Sequence, residues 1–295
     1  MNSTTETEGS LRLTAADGYP IGAVRLDARA PLKGNLVVAG ATGVPQGFYR
    51  RFAEYASSSG FNTLTFDYRG VGASRPGNLK GFTADFLDWA QLDLAAAVKA
   101  MADAEIPLYL VGHSFAGHAF GLLPNHHLVS GFYTFGSGSG WHGWMSRLEG
   151  LKVLLLWTLV CPPMARWYGY LPMSRLGMGE NLPLGVYRQW RHWCRFPRYF
   201  FDDPAVAEKM REKFAGVKTP IAAANSLDDA WITSRARDAF MQGYSNAKVE
   251  RIDIDPAPFG GLGHMGYFRA KAEPLWEDAL AWLSKGRICT RDELR

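Results

Sequence analysis

The chain has 295 residues, of which 47% are hydrophobic, and this is enough for one large domain with a complete core. Its formal net charge of +4 is small for that length and argues against nucleic acid as the main partner, although local basic patches remain compatible with it. The three cysteines form no C-x-x-C pair, and the adjacent His126 and His127 lack a chelating interval, so we expect neither a metal site nor a cofactor.

The first ten residues, MNSTTETEGS, have neither the basic start nor the apolar core of a signal peptide. No apolar run reaches the ~18–20 residues that a membrane-spanning helix needs, and the nearest, Val153–Cys161, ends at Pro162-Pro163. The scattered cysteines are typical of a reducing compartment. We therefore expect a cytoplasmic protein without stable membrane insertion, and a homodimer is compatible with the sequence.

In chain order, the sequence first predicts a β-hairpin that starts at Leu11 and turns at Asp17-Gly18. Short apolar strands that alternate with helices follow. The predicted strands lie at 35–39, 61–66, 108–111, 128–135, 221–224 and 249–254. The predicted helices lie at 48–58, 84–102 and 270–284. This alternation is typical of a mostly parallel sheet with helices on both faces.

Residues 139–210 depart from this alternation. They hold six of the ten tryptophans and several prolines, among them those at positions 162, 163, 172 and 183. We interpret them as a helical cap inserted between two core segments, 1–138 and 211–295. Because the insertion lies between two strands, it should cover the carboxyl end of the sheet. The residues expected to form apolar walls of a substrate pocket are Trp141, Trp144, Leu155 and Trp157.

A candidate nucleophile, Ser114, lies in the stretch GHSFAG directly after the strand at 108–111. In open α/β sheets, ligands bind beyond the carboxyl ends of the strands. A sharp turn from strand to helix would expose the hydroxyl and crowd the positions two residues to either side, so these must be small. Gly112 and Ala116 meet that requirement. The alternative is that Ser114 only caps a helix.

A nucleophilic serine needs a base, and the base needs an orienting acid. His264 lies in a glycine-rich loop after the last strand, and a surface loop histidine is its alternative reading. Asp228 and Asp229 follow the strand at 221–224. Adjacent residues point in different directions, so only one of the two aspartates should face His264.

The order of Ser114, an aspartate and His264 is that of the α/β hydrolases, and the sequence resembles that superfamily over nearly its whole length. GHSFAG looks like the nucleophile elbow, although Ala116 replaces a usual glycine. DYRGVGAS at 67–74 looks like the D-x-R-G-x-G-x-S segment. AGATGVPQGFY at 39–49 looks like the oxyanion loop, with Ala39 in place of a frequent histidine. Within the superfamily the chain is similar to bacterial monoacylglycerol-lipase-like and serine-aminopeptidase-like hydrolases.

The resemblance implies an α/β-hydrolase fold, with a mostly parallel eight-stranded sheet flanked by helices and an inserted helical cap. It favours Asp229 as the acid, because an apolar residue, Ile232, follows three positions later. The elbow supplies the Phe115 amide as one oxyanion donor, and by resemblance the Ala41 amide is the second.

One such triad serves esters, thioesters, amides, lactones and acyl transfer. We expect a serine hydrolase that takes a small-molecule ester or acyl substrate of moderately apolar character and forms an acyl-enzyme on Ser114. Acyl transfer or thioester hydrolysis is an alternative, because four arginines spaced 3, 4 and 3 apart would share one helix face and could hold a phosphorylated carrier. These are Arg188, Arg191, Arg195 and Arg198. A solvated cap face explains them equally, and a non-catalytic binding protein on a hydrolase scaffold is the reading from another class.

Overall fold

Eight strands form a single sheet in the computed structural model, which describes residues 9–285. They are β1 (Ser10–Thr14), β2 (Pro20–Leu26), β3 (Gly34–Ala39), β4 (Phe61–Phe66), β5 (Leu108–His113), β6 (Val129–Phe135), β7 (Ile221–Ser226) and β8 (Val249–Ile254). Their order is β1-β2-β4-β3-β5-β6-β7-β8, with β2 antiparallel to both neighbours and all other pairs parallel. The predicted eight-stranded, mostly parallel sheet is confirmed. The polar segment 1–8 and Cys289 lie outside the described residues.

Helices cover both faces of this sheet. They are α1 (Arg50–Ser58), α2 (Phe86–Asp88), α3 (Ala95–Met101), α4 (Phe115–Leu122), α5 (Arg147–Leu155), α6 (Cys161–Tyr168), α7 (Leu184–Trp193), α8 (Ala207–Ala215), α9 (Ser234–Met241) and α10 (Glu273–Lys285). Successive strand residues point to opposite faces, so Val37 packs in the core beneath α3 and α4, whereas Val38 packs beneath α1 and α10. The predicted helix 84–102 consists of α2, a π-helical segment Trp89–Leu94, and α3.

The segment between β6 and β7 is helical, with α5 to α8 and one isolated bridge between Leu171 and Leu182. The predicted cap boundary at 210 falls inside α8. A π-helical segment, Leu156–Val160, joins α5 to α6, so that together they form one helix of 22 residues, Arg147–Tyr168. Pro162-Pro163 directly follow the π-helical segment and do not end this helix, which continues past them to Tyr168.

This long helix changes one expectation from the sequence. Within residues 9–285 it is the one helix whose length and composition would allow it to cross a membrane, with a mean hydropathy of 1.4 over an 18-residue window. Only 28% of that window is buried. The sequence pattern ends the apolar run at Pro162-Pro163, but the helix continues past them to Tyr168.

A buried chain of hydrogen bonds joins three loops at the carboxyl end of the sheet. The Ala41 amide donates to the Tyr49 hydroxyl at 2.7 Å, and Tyr49 Oη lies 3.0 Å from His113 Nδ1. His113 Nε2 lies 2.9 Å from the carbonyl oxygen of His264. Because that carbonyl only accepts, His113 is protonated on Nε2 and Tyr49 donates to Nδ1. Tyr49 therefore connects the loop at 40–46 to the loop that carries His264.

Neither side chain in this chain of bonds is ionised at neutral pH. Burial lowers the pKa of His113 to about 3, and the neighbouring His264 lowers it further. Burial also raises the pKa of the Tyr49 hydroxyl above its usual range. The connection is thus made of neutral groups in fixed tautomers, and each bond in it is directional.

We predict that Tyr49→Phe destabilises the protein by about 2–4 kcal/mol, because it leaves the buried Ala41 amide and His113 Nδ1 without a partner. Tyr68→Phe is the matched control. Tyr68 is equally buried, and its hydroxyl has no hydrogen-bond partner within residues 9–285, so its removal should be neutral or slightly stabilising. Urea unfolding of both variants measures the difference. Equal losses of stability would contradict the bonding role of Tyr49.

Candidate active site

The turn between β5 and α4 places Ser114 at the carboxyl edge of the sheet. Ser114 adopts φ 52° and ψ −100°, a conformation that is strained for a residue with a side chain. A Cβ at position 112 would lie 2.5 Å from the Ala116 Cβ and 2.8 Å from the Phe132 ring. Gly112 is therefore required, and its missing side chain leaves the room that Ala116 occupies in place of the usual glycine.

His264 lies between Ser114 and Asp229. Its Nε2 is 3.1 Å from Ser114 Oγ, and its Nδ1 is 2.8 Å from Asp229 Oδ2. Because a carboxylate only accepts, Nδ1 carries the proton and Nε2 is left to accept from the serine hydroxyl. The geometry is that of a nucleophile, a base and an orienting acid.

Four donors hold the buried Asp229 carboxylate. Oδ1 accepts from the amides of Trp231 and Ile232, both at 2.9 Å, and Oδ2 accepts from the Tyr267 hydroxyl at 3.1 Å as well as from His264. The apolar residue three positions after the acid thus contributes its backbone amide. The ring of Trp231 lies nearly parallel to the His264 ring, with centroids 6.1 Å apart.

Asp228 has a different task. Its carboxylate accepts from the amides of Leu262 and Gly263, at 2.8 and 2.9 Å, and from the Ser226 hydroxyl at 2.6 Å. Burial would raise the pKa of Asp228, but these hydrogen bonds outweigh it and hold the pKa below its usual value. The residues alone had left both aspartates open; in the structure Asp229 faces His264, and Asp228 fixes the loop that precedes it.

The oxyanion loop departs from the expectation at one residue. Ala41 lies in the wall of the cavity as expected, but its amide is already bonded to Tyr49. The next amide along, that of Thr42, also lies at the cavity and has no hydrogen-bond partner in the described part of the chain. Phe115 begins α4, so its amide has no carbonyl within the helix to bond. The Ala41 amide is therefore engaged by Tyr49, whereas the amides of Phe115 and Thr42, two residues that line the cavity with Ser114, have no partner within residues 9–285.

The D-x-R-G-x-G-x-S segment supports this loop from below. The buried Asp67 carboxylate accepts from the amide and the side chain of Gln46, at 2.7 and 2.9 Å, and from the Ala73 amide at 2.9 Å. A Cβ at Gly72 would overlap that carboxylate, and Gly72 also has a positive φ of 47°. The segment thus fixes one end of the loop at 40–46.

A cavity of about 340 Å³ opens over Ser114 and His264. Its lining is mainly apolar, with the cap contributing Met145, Val153, Trp157, Met173, Met178 and Trp190. Trp231, Met265 and Tyr199 also line it, and none of the three is among the residues predicted from the sequence. The position of Trp231, two residues after Asp229, was a signal that could have identified it.

Of the four residues predicted to line a substrate pocket, only Trp157 does so. Trp144 donates from Nε1 to the Pro197 carbonyl at 2.7 Å and carries the Arg235 guanidinium over its ring. Trp141 packs against Trp144 with ring centroids 5.2 Å apart. Leu155 is on the outer face of α5 and is 43% exposed. Trp141, Trp144 and Leu155 therefore do not form the cavity wall, because the two tryptophans are engaged in these other contacts and Leu155 is exposed.

Two further groups of side chains are engaged within the protein. His118 lines the cavity, but its Nε2 donates to the Gly138 carbonyl at 2.9 Å, and burial lowers its pKa to about 4. The predicted arginine face does not form, because α7 ends at Trp193, before Arg195 and Arg198. Arg198 pairs with Asp202 at 2.6 Å instead.

Several solved structures share this fold at low sequence identity. A soluble variant of monoglyceride lipase from Saccharomyces cerevisiae, in complex with a substrate analogue, is 16% identical with a TM-score of 0.66, and the alignment covers 97% of this chain and 98% of that chain. An esterase from Pyrococcus furiosus is 14% identical with a TM-score of 0.60, over 94% and 90% of the two chains. The N-formylmaleamic acid deformylase of Pseudomonas putida S16 is 14% identical with a TM-score of 0.54, over 92% and 99%.

No curated protein sequence matches this chain. A sequence model of the alpha/beta hydrolase family matches residues 36–293, which is most of the chain. With the sheet order, the elbow and the residues around it already described, this match decides the classification. The chain belongs to the α/β hydrolase family.

Proposed function

We propose that this protein hydrolyses carboxylic esters of moderately apolar character through an acyl-enzyme on Ser114. The observation that carries the proposal is the continuous hydrogen-bonded series from Ser114 Oγ through the His264 ring to the buried Asp229. A serine hydroxyl is a weak nucleophile at neutral pH unless a positioned base takes its proton. Here that base is His264, in the tautomer that Asp229 requires.

The reaction would begin with attack of Ser114 Oγ on the ester carbonyl carbon while His264 Nε2 takes the hydroxyl proton. The carbonyl oxygen gains negative charge, and the amides of Phe115 and Thr42 would stabilise it, each by about 3–4 kcal/mol. The imidazolium then returns the proton to the leaving alcohol, and the C–O bond breaks to give the acyl-enzyme. Water activated by His264 releases the acid and restores Ser114.

The preference for an apolar substrate rests on the walls of the cavity. Methionine and tryptophan side chains from the cap cover Ser114, and methionine adapts to ligands of varied shape. Ester hydrolysis is further supported by the similar structures, two of which are described as a monoglyceride lipase and an esterase. The arginine face that favoured a phosphorylated carrier does not form, so thioester hydrolysis and acyl transfer have less support.

Ser114→Ala should abolish covalent labelling by a fluorophosphonate probe and leave the fold intact, because the variant loses only the attacking oxygen. Mass spectrometry of the labelled protein measures this. Ser174→Ala, which changes an exposed cap serine bonded to Asn181, is the control and should label normally. Normal labelling of Ser114→Ala would exclude it as the nucleophile.

Asp229→Asn should lower kcat by roughly 10³–10⁴, because an amide in place of the acceptor favours the wrong imidazole tautomer. Asp228→Asn should cost about tenfold or less, since Asp228 acts only through the loop before His264. Steady-state kinetics on a nitrophenyl ester compare the two variants. If Asp228→Asn proves the more damaging, Asp228 is the acid.

Trp157→Ala should change the ratio of kcat/KM for long and short acyl chains by about tenfold, because it opens space for one or two methylenes at about 0.8 kcal/mol each. Trp141→Ala is the matched control, as Trp141 belongs to the cap but lies outside the cavity wall. A series of nitrophenyl esters of increasing chain length gives the two profiles. If folded Trp157→Ala keeps the parental profile, this wall does not select the substrate.

A further inference from the structure

The outer face of the helix Arg147–Tyr168 exposes an unusual amount of apolar surface. Within residues 9–285, seven of the ten exposed large hydrophobic side chains lie on this one helix. We call them the outer cap ridge: Leu148, Leu151, Leu154, Leu155, Leu159, Val160 and Trp167. Leu159 is 66% exposed and Trp167 is 84% exposed. Clustered exposure of this kind marks a surface that meets a protein or a membrane.

The opposite face of the same helix packs against the rest of the protein. Gly150, Val153, Trp157, Cys161 and Ala165 are all buried, at intervals of three or four residues. Val153 and Trp157 line the cavity over Ser114. If the helix crossed a bilayer, it would have to leave this position and the cavity would lose a wall. The arrangement therefore suits a helix that lies along a surface, with one face inward and the other outward.

The charge of the cap favours a negatively charged partner. Residues 139–210 contain nine lysines and arginines and five aspartates and glutamates, while the rest of the chain has equal numbers of both signs. The whole net charge of +4 therefore resides in the cap. Arg147 and Arg166 are exposed near the two ends of the helix, and neither forms an ion pair within the described residues.

We propose that the outer cap ridge docks on the surface of an anionic phospholipid bilayer, with the helix parallel to the membrane plane. The leucines would enter the boundary between headgroups and acyl chains. Trp167 and the stems of Arg147 and Arg166 would lie at headgroup level, where aromatic and long basic side chains are favoured. A second copy of the chain fits this face less well, because it would oppose two surfaces of the same positive sign.

The test is flotation of the full chain with phospholipid vesicles, and it needs no turnover. Vesicles of phosphatidylcholine and phosphatidylglycerol in equal parts should carry the protein, and vesicles of phosphatidylcholine alone should carry less. Added salt should weaken binding to the anionic vesicles. Ser114→Ala should bind like the parent, so this result stands or falls separately from the proposed hydrolysis.

Two double variants and one control separate the apolar contribution to vesicle binding from the electrostatic one. Leu151→Gln with Leu159→Gln should reduce partitioning onto anionic vesicles by about tenfold or more. Leu32→Gln with Leu128→Gln, which changes two exposed leucines outside the cap, is the matched control and should have no effect. Arg147→Gln with Arg166→Gln should remove most of the preference for anionic lipid and leave the weaker binding to phosphatidylcholine.

Three outcomes would overturn the proposal. The first is that the parent protein does not float with anionic vesicles. The second is that the Leu151→Gln, Leu159→Gln variant binds these vesicles as well as the Leu32→Gln, Leu128→Gln control. The third is a concentration-dependent dimer, seen by sedimentation velocity, that disappears in the Leu151→Gln, Leu159→Gln variant while vesicles bind nothing. That last result would assign the ridge to a second copy of the chain.

Discussion

The strained backbone of Ser114 is the constraint on which the rest of the site depends. A conformation of this kind costs about 1–3 kcal/mol and persists only where its surroundings hold it. The Ser114 amide donates to the Phe135 carbonyl at 2.8 Å, and the Ser137 hydroxyl donates to the Ser114 carbonyl at 2.7 Å. Strand β6 and the residues just after it thus fix both sides of the turn. The hydroxyl is held at the sheet edge, where the loops after β3, β7 and β8 meet it.

Buried hydrogen bonds beneath the cavity connect these loops to each other. Asp67 fixes the start of the helical turn at Gln46, and Tyr49 in that turn reaches His113 behind the elbow. His113 in turn holds the carbonyl of His264. The buried groups in this series are neutral or fully bonded, so a shift in one loop leaves a polar group unpaired in another. Preorganisation of the reacting groups is therefore a property of the buried layer, not of the exposed loops alone.

The sequence predicted the features that depend on local pattern. Strand and helix order, the small residues around Ser114 and the loop positions of Asp229 and His264 follow from spacing along the chain. The commitment of the Ala41 amide could not be predicted, because it depends on where a tyrosine hydroxyl arrives in space. Composition does not show which tryptophans of the cap line the cavity, and Trp144 contacts Pro197 and Arg235 instead. The arginine spacing assumed a helix that in fact ends at Trp193.

The helix Arg147–Tyr168, with its π-helical segment at Leu156–Val160, has apolar side chains both on the face toward the cavity and on the exposed face. Trp157 in that segment and Cys161 and Ala165 in α6 are buried at intervals of four, so the inner face stays continuous over the cavity and the cap core. The helix continues past Pro162-Pro163 and carries exposed side chains as far as Trp167. Roofing the cavity needs only the inner face, and polar side chains outside would serve that purpose with less risk of aggregation. The outer leucines thus have no role within the described chain, and a surface beyond it gives them one.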